Sequence, residues 1–236
     1  MVKTNWMPLE ANPESFNNLA SKLGLDISQY SIYDVLGFDD ELLALVPRPV
    51  KAAILLYPTP EIYDNPTAIA SEEELKKRWP LDEDKMRKET VYIRQRLSNH
   101  CGTMALLHGL ANTPSLPLAD GPIKTLFNQC KGLNPEESAT LLENTNISQL
   151  HVAAADLGQS HLDDPDDTTS HYLAFVDHNG EILEFDGWAR SGAVSHGPIA
   201  IRGEGDFFKS VITVVKEMMA STGSIKYTLL VIAPAS

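Results

Sequence analysis

From Lys51 to Tyr57 the sequence reads Lys-Ala-Ala-Ile-Leu-Leu-Tyr, a near-continuous apolar run closed by Pro58 and Pro60. A short run of this kind, ended by turn formers, predicts a strand at the centre of a sheet, buried on both faces. Such a strand needs apolar cover above and below, and the rest of the chain offers helices to supply it. Asn12-Pro13 caps and opens the first, with Phe16, Leu19, Ala20 and Leu23 on one stripe and Gly24 at its end. Asp39 and Asp40 start a short one over Glu41 to Val46, stopped by Pro47 and Pro49. Ser71 and Glu74 form a capping-box pattern for a charged helix through Trp79. Ile123, Leu126, Phe127 and Cys130 make an apolar stripe closed by Gly132. Asn134-Pro135 opens another helix, to about Glu143. Asp206 caps one carrying Phe207, Val211, Val214, Val215 and Met218, ended by Gly223. Tyr227 to Ile232 is a last buried strand.

Other stretches are less definite. Tyr30 to Val35 has a mixed pattern, and Leu81 to Thr90 reads as a polar connection. Ser191 to Gly205 reads as loop with one further short strand. Asn144 to Thr169 has only a weak pattern, and its Asp163-Asp164-Pro165-Asp166-Asp167 cannot belong to a core. A segment of that length inside a compact domain is expected to be a functional lid or a disordered loop. No repeat or linker interrupts the chain. We therefore expect one α/β (α+β) domain over 1–236, a central sheet flanked by helices.

Charge and cysteine content exclude several functions. The formal charge of −13 disfavours nucleic acid or an anionic membrane as partner, though it permits steering of a basic one. No stretch reaches the ~18 apolar residues of a membrane span, and Met1 to Pro13 has no apolar signal-peptide core. Cys101 and Cys130 are the only cysteines. Two give no disulfide framework, and a reducing cytosolic or nuclear compartment is expected.

Cys101 opens a second apolar run, in which Met104, Leu106, Leu107 and Leu110 have helical spacing. That puts the cysteine in the first turn of a buried helix, where free N–H groups favour negative charge on sulfur. Its own N–H can face a substrate oxyanion, and Gln95, six residues earlier, can supply a second donor from its amide. A thiol nucleophile also needs a base and a group to orient it. His171 to Asp177 and Glu181 to Asp186, joined by His178-Asn179-Gly180, read as a β-hairpin. His171 opens one strand and Asp186 closes the other, so pairing brings them within hydrogen-bond reach. Cys101 as nucleophile, His171 as base and Asp186 as orienter then have triad geometry. Each has a plainer reading by itself. A cysteine at a helix start is usually a small buried hydrophobe, and Asp-Gly is a common turn. Taken together, catalytic and structural readings weigh evenly. Cys130 lies on a core stripe and reads as structural. The remaining histidines show no ligand spacing, so no metal is expected.

Four stretches resemble the ubiquitin C-terminal hydrolase family of cysteine proteases. Trp6-x-Pro8-Leu9-Glu10-Ala11-Asn12-Pro13 resembles its opening motif. Leu42-Leu43-Ala44-Leu45-Val46-Pro47-Arg48-Pro49-Val50-Lys51-Ala52 resembles its first core strand and the turn before it. Gln95…Ser98-Asn99-x-Cys101-Gly102-Thr103 resembles the nucleophile motif, and Glu184-x-Asp186-Gly187 the acid motif. The resemblance spans nearly the whole chain and implies a papain-like active site on a knotted backbone. It implies a deubiquitinating thiol hydrolase that cleaves small adducts, short peptides or unfolded extensions from the C-terminal glycine of ubiquitin, without a cofactor. Cys101, His171, Asp186 and Gln95 take the catalytic roles, and Glu10 and Asn99 become substrate-binding candidates. The partner would be ubiquitin or a ubiquitin-like modifier, bound by a monomer. The weak segment, over 144–170, corresponds to the family's crossover loop over the active site. Two positions depart from the pattern: Trp188 stands where Arg is usual, and His100 where a small residue is common. Two rivals remain, a catalytically silent ubiquitin-binding module and a different papain-like thiol hydrolase or transferase.

Overall fold

The computed structural model describes residues 7–59, 70–158 and 169–235. The expected strand over Lys51–Tyr57 is β2 (Ala52–Pro58), and it lies in the middle of a six-stranded antiparallel sheet. The sheet runs β1 (Tyr30–Asp34), β6 (Thr228–Pro234), β2, β3 (Ser170–His178), β4 (Glu181–Phe185), β5 (Val194–Pro198). Ala52 and Ile54 join a core cluster on one face, while Ala53, Leu55 and Tyr57 join a second cluster on the other. The run is apolar throughout because both faces are covered. Burying Ile54 and Leu55 completely contributes roughly 1.5–3 kcal/mol each. Helices flank both faces, giving the expected mixed α/β architecture.

The first face carries α1 (Pro13–Lys22) and α5 (Cys101–Ala111), and α5 packs across β2 and β3. Every residue of α5 from Cys101 to Leu110 is buried, so it runs through the core instead of lying on it. Gly102 permits this at the helix head: a Cβ there would sit 3.2 Å from Leu9 Cβ and 3.3 Å from the Tyr172 ring. α10 (Phe207–Thr222) covers the second face with Val211, Val214, Val215 and Met218. The capped helices form at their expected starts: α2 (Asp40–Leu43), which ends before the expected Val46, α3 (Glu72–Arg78) and α7 (Pro135–Glu143), with complete capping boxes on α3 and α7, while the stripe from Ile123 to Cys130 forms α6 (Pro122–Cys130) without a side-chain cap. The β3–β4 hairpin turns through Asn179 (φ 54°) and Gly180 (φ 85°), the conformation the Asn-Gly pair predicts.

Two readings are corrected. The polar connection Leu81–Thr90 contains α4 (Glu83–Glu89), capped by Asp82 and with no buried residue, so apolar periodicity could not reveal it. The weak segment from Asn144 contains α8 (Ile147–Ala155), whose buried face is Ile147, His151 and Ala154. A histidine and an alanine in that face dilute the pattern. The crossover-loop assignment over 144–170 is therefore too long at its start. Its aspartate-rich part falls in 159–168, outside the described residues, as do Trp6 and Pro60. The mixed Tyr30–Val35 stretch is the edge strand β1, and the Ser191–Gly205 loop holds β5 and the short α9 (Ile199–Arg202).

Candidate active site

Cys101 is the first residue of α5, and the preceding His100 makes no side-chain cap, so the N–H groups at the helix head stay open to a ligand. His171 comes from the start of β3 and Asp186 from just beyond β4. The hairpin ladder pairs as far as Ala174 with Phe185, and just beyond that last pair His171 Nε2 donates to Asp186 Oδ1 at 2.8 Å. Nδ1 is left facing away from Asp186, and Cys101 is near enough to the imidazole to help hold its charge. Burial works against charge on His171, but Asp186, and to a lesser degree Cys101, overcome it and hold its pKa up at about 10. Burial likewise opposes ionisation of Asp186, and the adjacent His171 keeps its carboxyl below the usual range. The arrangement can set a sulfur nucleophile beside an imidazole that holds a proton and can pass it to a leaving group.

Further groups fix the acid. The backbone N–H groups of Trp188 and Ala189 each donate to Asp186 Oδ1 at 2.9 Å, and the Tyr57 hydroxyl donates to Oδ2 at 3.0 Å. Tyr92 directs its hydroxyl to the Asp186 carbonyl and to the Arg190 carbonyl. Beneath this turn lies buried Glu184, which accepts from Arg190 Nε and His196 Nε2, both at 2.7 Å. Burial opposes the charge on Glu184, and Arg190 and His196 hold its carboxyl well below the usual range. His196 thus belongs to the support of the acid turn. The Trp188 ring packs tilted against His171, centroids 5.4 Å apart, while remaining 48% exposed.

A cavity of about 390 Å³ opens at Cys101. Glu10 and Asn99 both line it, with Leu9, Tyr172, Gly158 and Thr169. The arm carrying Glu10 is pinned twice: Tyr172 donates its hydroxyl to Leu9 O at 2.9 Å, and His151 Nε2 donates to Met7 O at 2.8 Å. His151 Nδ1 accepts from the hydroxyl of Thr103, in the first turn of α5. His100 stacks on His151 with centroids 4.1 Å apart. Burial, then the neighbouring His100, pushes His151 down to about 4, so it is neutral near pH 7. His100 therefore joins the nucleophile loop to α8 and the arm.

Gln95 does not line this cavity. Its N–H donates to Gly187 O at 2.8 Å, which ties the stretch before α5 to the acid turn. Its side-chain Nε2 donates to Leu97 O at 3.2 Å, and its Oε1 is buried without a partner among the described residues. The same stretch is held by α5 itself, through His108 Nε2 accepting from Ile93 N and Asn112 bonded to Val91. Cys130 is buried on α6, where burial pushes its thiol up. Sequence reading missed Tyr57, Tyr92, Thr103 and His151. Their roles depend on contacts between distant segments, and only His100, out of place in its motif, carried a signal.

Comparison with known proteins gives a consistent family. The pattern described as "Ubiquitin carboxyl-terminal hydrolase, family 1" matches residues 6–220. A ubiquitin carboxyl-terminal hydrolase of Drosophila melanogaster is 34% identical over 234 residues, covering 98% of each chain. Ubiquitin carboxyl-terminal hydrolase 3 of Arabidopsis thaliana is 33% identical, covering 97% of this chain and 94% of its own. Human ubiquitin carboxyl-terminal hydrolase isozyme L1 is 32% identical over 183 residues, 76% of this chain and 78% of its own. Among solved structures, the Trichinella spiralis UCH37 catalytic domain bound to ubiquitin vinyl methyl ester superposes with a TM-score of 0.72 at 20% identity. It covers 100% of this chain and 98% of that one, a likeness of fold.

Proposed function

The chain belongs to the ubiquitin carboxyl-terminal hydrolase family and is a cysteine-type ubiquitin hydrolase, and from that premise we propose that Cys101, His171 and Asp186 form its catalytic triad. The observation that carries this reading is the buried chain of contacts from Cys101 through His171 to Asp186 at the open head of α5. Cys101 Sγ attacks the carbonyl carbon of the ubiquitin C-terminal glycine, with the proton of the Cys101–His171 pair held on His171. The oxyanion is met by the Cys101 N–H and by Gln95, once its amide turns from the long bond to Leu97 O. His171 protonates the leaving amine as the C–N bond breaks, giving a thioester. Water, deprotonated by His171, then releases ubiquitin and restores the pair.

We further propose that the enzyme favours small adducts, short peptides and unfolded extensions. Gly158 and Thr169 both line the cavity at Cys101, with Leu9 and Tyr172. An extended leaving group fits beside such a wall more readily than a folded domain. Glu10 and Asn99 line the same cavity, and a carboxylate there supports a contact with the basic tail of ubiquitin.

Covalent trapping tests the reading. Ubiquitin bearing a C-terminal vinyl electrophile is expected to form an adduct with wild type at Cys101, and Cys101→Ala to bind it without a bond. Binding of the probe by wild type without a bond would make the chain a silent ubiquitin-binding module, and indifference would point to another thiol hydrolase. For specificity, release of a small C-terminal amide is compared with cleavage of isopeptide-linked diubiquitin. Equal rates would overturn the small-adduct preference.

A further inference from the structure

Asp186 is 1% exposed, and its two carboxylate oxygens are served unequally. Oδ1 takes three donors: His171 Nε2 and the N–H groups of Trp188 and Ala189. Among the described residues, Oδ2 takes one, the hydroxyl of Tyr57 at 3.0 Å. Tyr57 reaches this place by strand register. It is the direct partner of His171 across the β2–β3 pair, so phenol and imidazole rise from the same face of the sheet. Their rings meet edge-on, centroids 5.7 Å apart at 84°. The carboxylate therefore bridges two side chains standing next to each other, one on each oxygen.

We propose that Tyr57 is a positioning residue for the reaction: its hydroxyl fixes the plane of the Asp186 carboxylate and spreads its charge, so that His171 keeps Nε2 on Asp186 and Nδ1 toward Cys101. Burial, then the nearby Asp186 and Glu184, keep the phenol protonated, so it is a standing donor. The other titratable or charged groups facing this pair are His171 on β3, Glu184 on β4 with Arg190 after it, Tyr92 before α5, and His108 on α5. None of these places a donor on Oδ2. Without the hydroxyl, Oδ2 of a buried carboxylate has no partner among the described residues, and the donors on Oδ1 alone hold the plane of the carboxylate under the imidazole. The inference rests on the triad reading, and the experiment separates the two.

The test uses ubiquitin with a fluorogenic amide at its C-terminus, with kcat and KM followed across pH for wild type, Tyr57→Phe, Asp186→Asn and the double variant. Tyr57→Phe keeps the ring and removes one oxygen. We expect kcat to fall roughly tenfold, the usual scale for a hydrogen bond to a charged group, with KM nearly unchanged. Both limbs of the pH profile should move to higher pH, because a carboxylate that has lost a donor, and the imidazole paired with it, hold their protons more tightly. On the Asp186→Asn background the same substitution should add little, since its effect passes through the carboxylate. Placing 3-fluorotyrosine at position 57 strengthens the donor while preserving packing, and should shift the limbs toward lower pH. An impaired Asp186→Asn beside a Tyr57→Phe of wild-type rate and profile would overturn the Tyr57 role and leave the triad standing. So would a loss of rate with unmoved limbs and additive effects, which describes packing alone. An Asp186→Asn enzyme of wild-type rate would instead overturn the triad reading itself.

Discussion

Replacing Asp186 by Asn removes one charge and keeps nearly the same shape, so it isolates what the carboxylate does to His171. In the native site burial alone would push the imidazole below its ordinary 6.5, yet it is held up at about 10. That difference corresponds to roughly 5 kcal/mol of preference for the imidazolium. This is the net figure left after the opposing cost of burial, with Asp186 the larger contributor and Cys101 the smaller, and ~5 kcal/mol on a barrier corresponds to roughly 10⁴ in rate. The hydrogen bonds set the other limit. If the Asn carbonyl replaces Oδ1, it still accepts from His171, Trp188 and Ala189, and its NH₂ can donate to the Tyr57 oxygen. If the amide turns the other way, its NH₂ faces His171 Nε2 and forces the proton onto Nδ1, where it points at Cys101 and no base remains. The protein should therefore fold normally, with kcat lower by roughly 10²–10⁴. The assay is turnover of the fluorogenic ubiquitin amide, with iodoacetamide alkylation of Cys101 measured between pH 5 and 9. With the carboxylate gone, the imidazolium that supports the thiolate should be lost at lower pH than in wild type, and alkylation at neutral pH should slow. A folded Asp186→Asn enzyme within tenfold of wild-type kcat, with an unchanged alkylation profile, would refute the assignment.

Three further outcomes are expected. Gln95→Ala should cost about 10²–10³ in kcat, the usual loss for one oxyanion donor; a change confined to KM would make it a binding residue instead. Tyr172→Phe removes the bond to Leu9 O and loosens the arm that carries Glu10. At about 1 kcal/mol for such a bond, KM should rise several-fold with kcat retained, and a fall in kcat at constant KM would contradict the anchoring role. Glu184→Gln should lower stability by roughly 3–5 kcal/mol near pH 7, because Arg190 is left buried without its partner. The folded-state pKa of Glu184 is depressed, so its contribution is present above its ordinary 4.5 and lost as pH falls through the lowered value. Urea unfolding should therefore show the gap to wild type narrowing from pH 7 toward pH 3, and a gap independent of pH would exclude the charge pair as its source.

Much of this molecule is decided within a few residues of chain, and those parts were legible. A cap is local chemistry, so Asn12, Ser71, Asn134 and Asp206 marked helix starts that the structure reproduces. The Asn179-Gly180 turn is equally local. It fixed the hairpin, and the hairpin brought His171 and Asp186 together although neither residue is informative alone. Cys101 at the head of an apolar run and β2 as a strand buried on both faces follow from the same short-range patterning. Where a helix has no apolar face, as α4, or builds its face from a histidine and an alanine, as α8, that patterning carries no signal. The tertiary structure alone decided what stands beside the triad. Tyr57 meets Asp186 across 129 residues and Tyr92 across 94, because β2 pairs with β3 in one register and the stretch before α5 is pinned against the acid turn. The sequence determined that a thiol, an imidazole and a carboxylate could meet. Strand register and helix packing, which sum contacts between segments far apart in the chain, decided which hydroxyls and N–H groups hold them there.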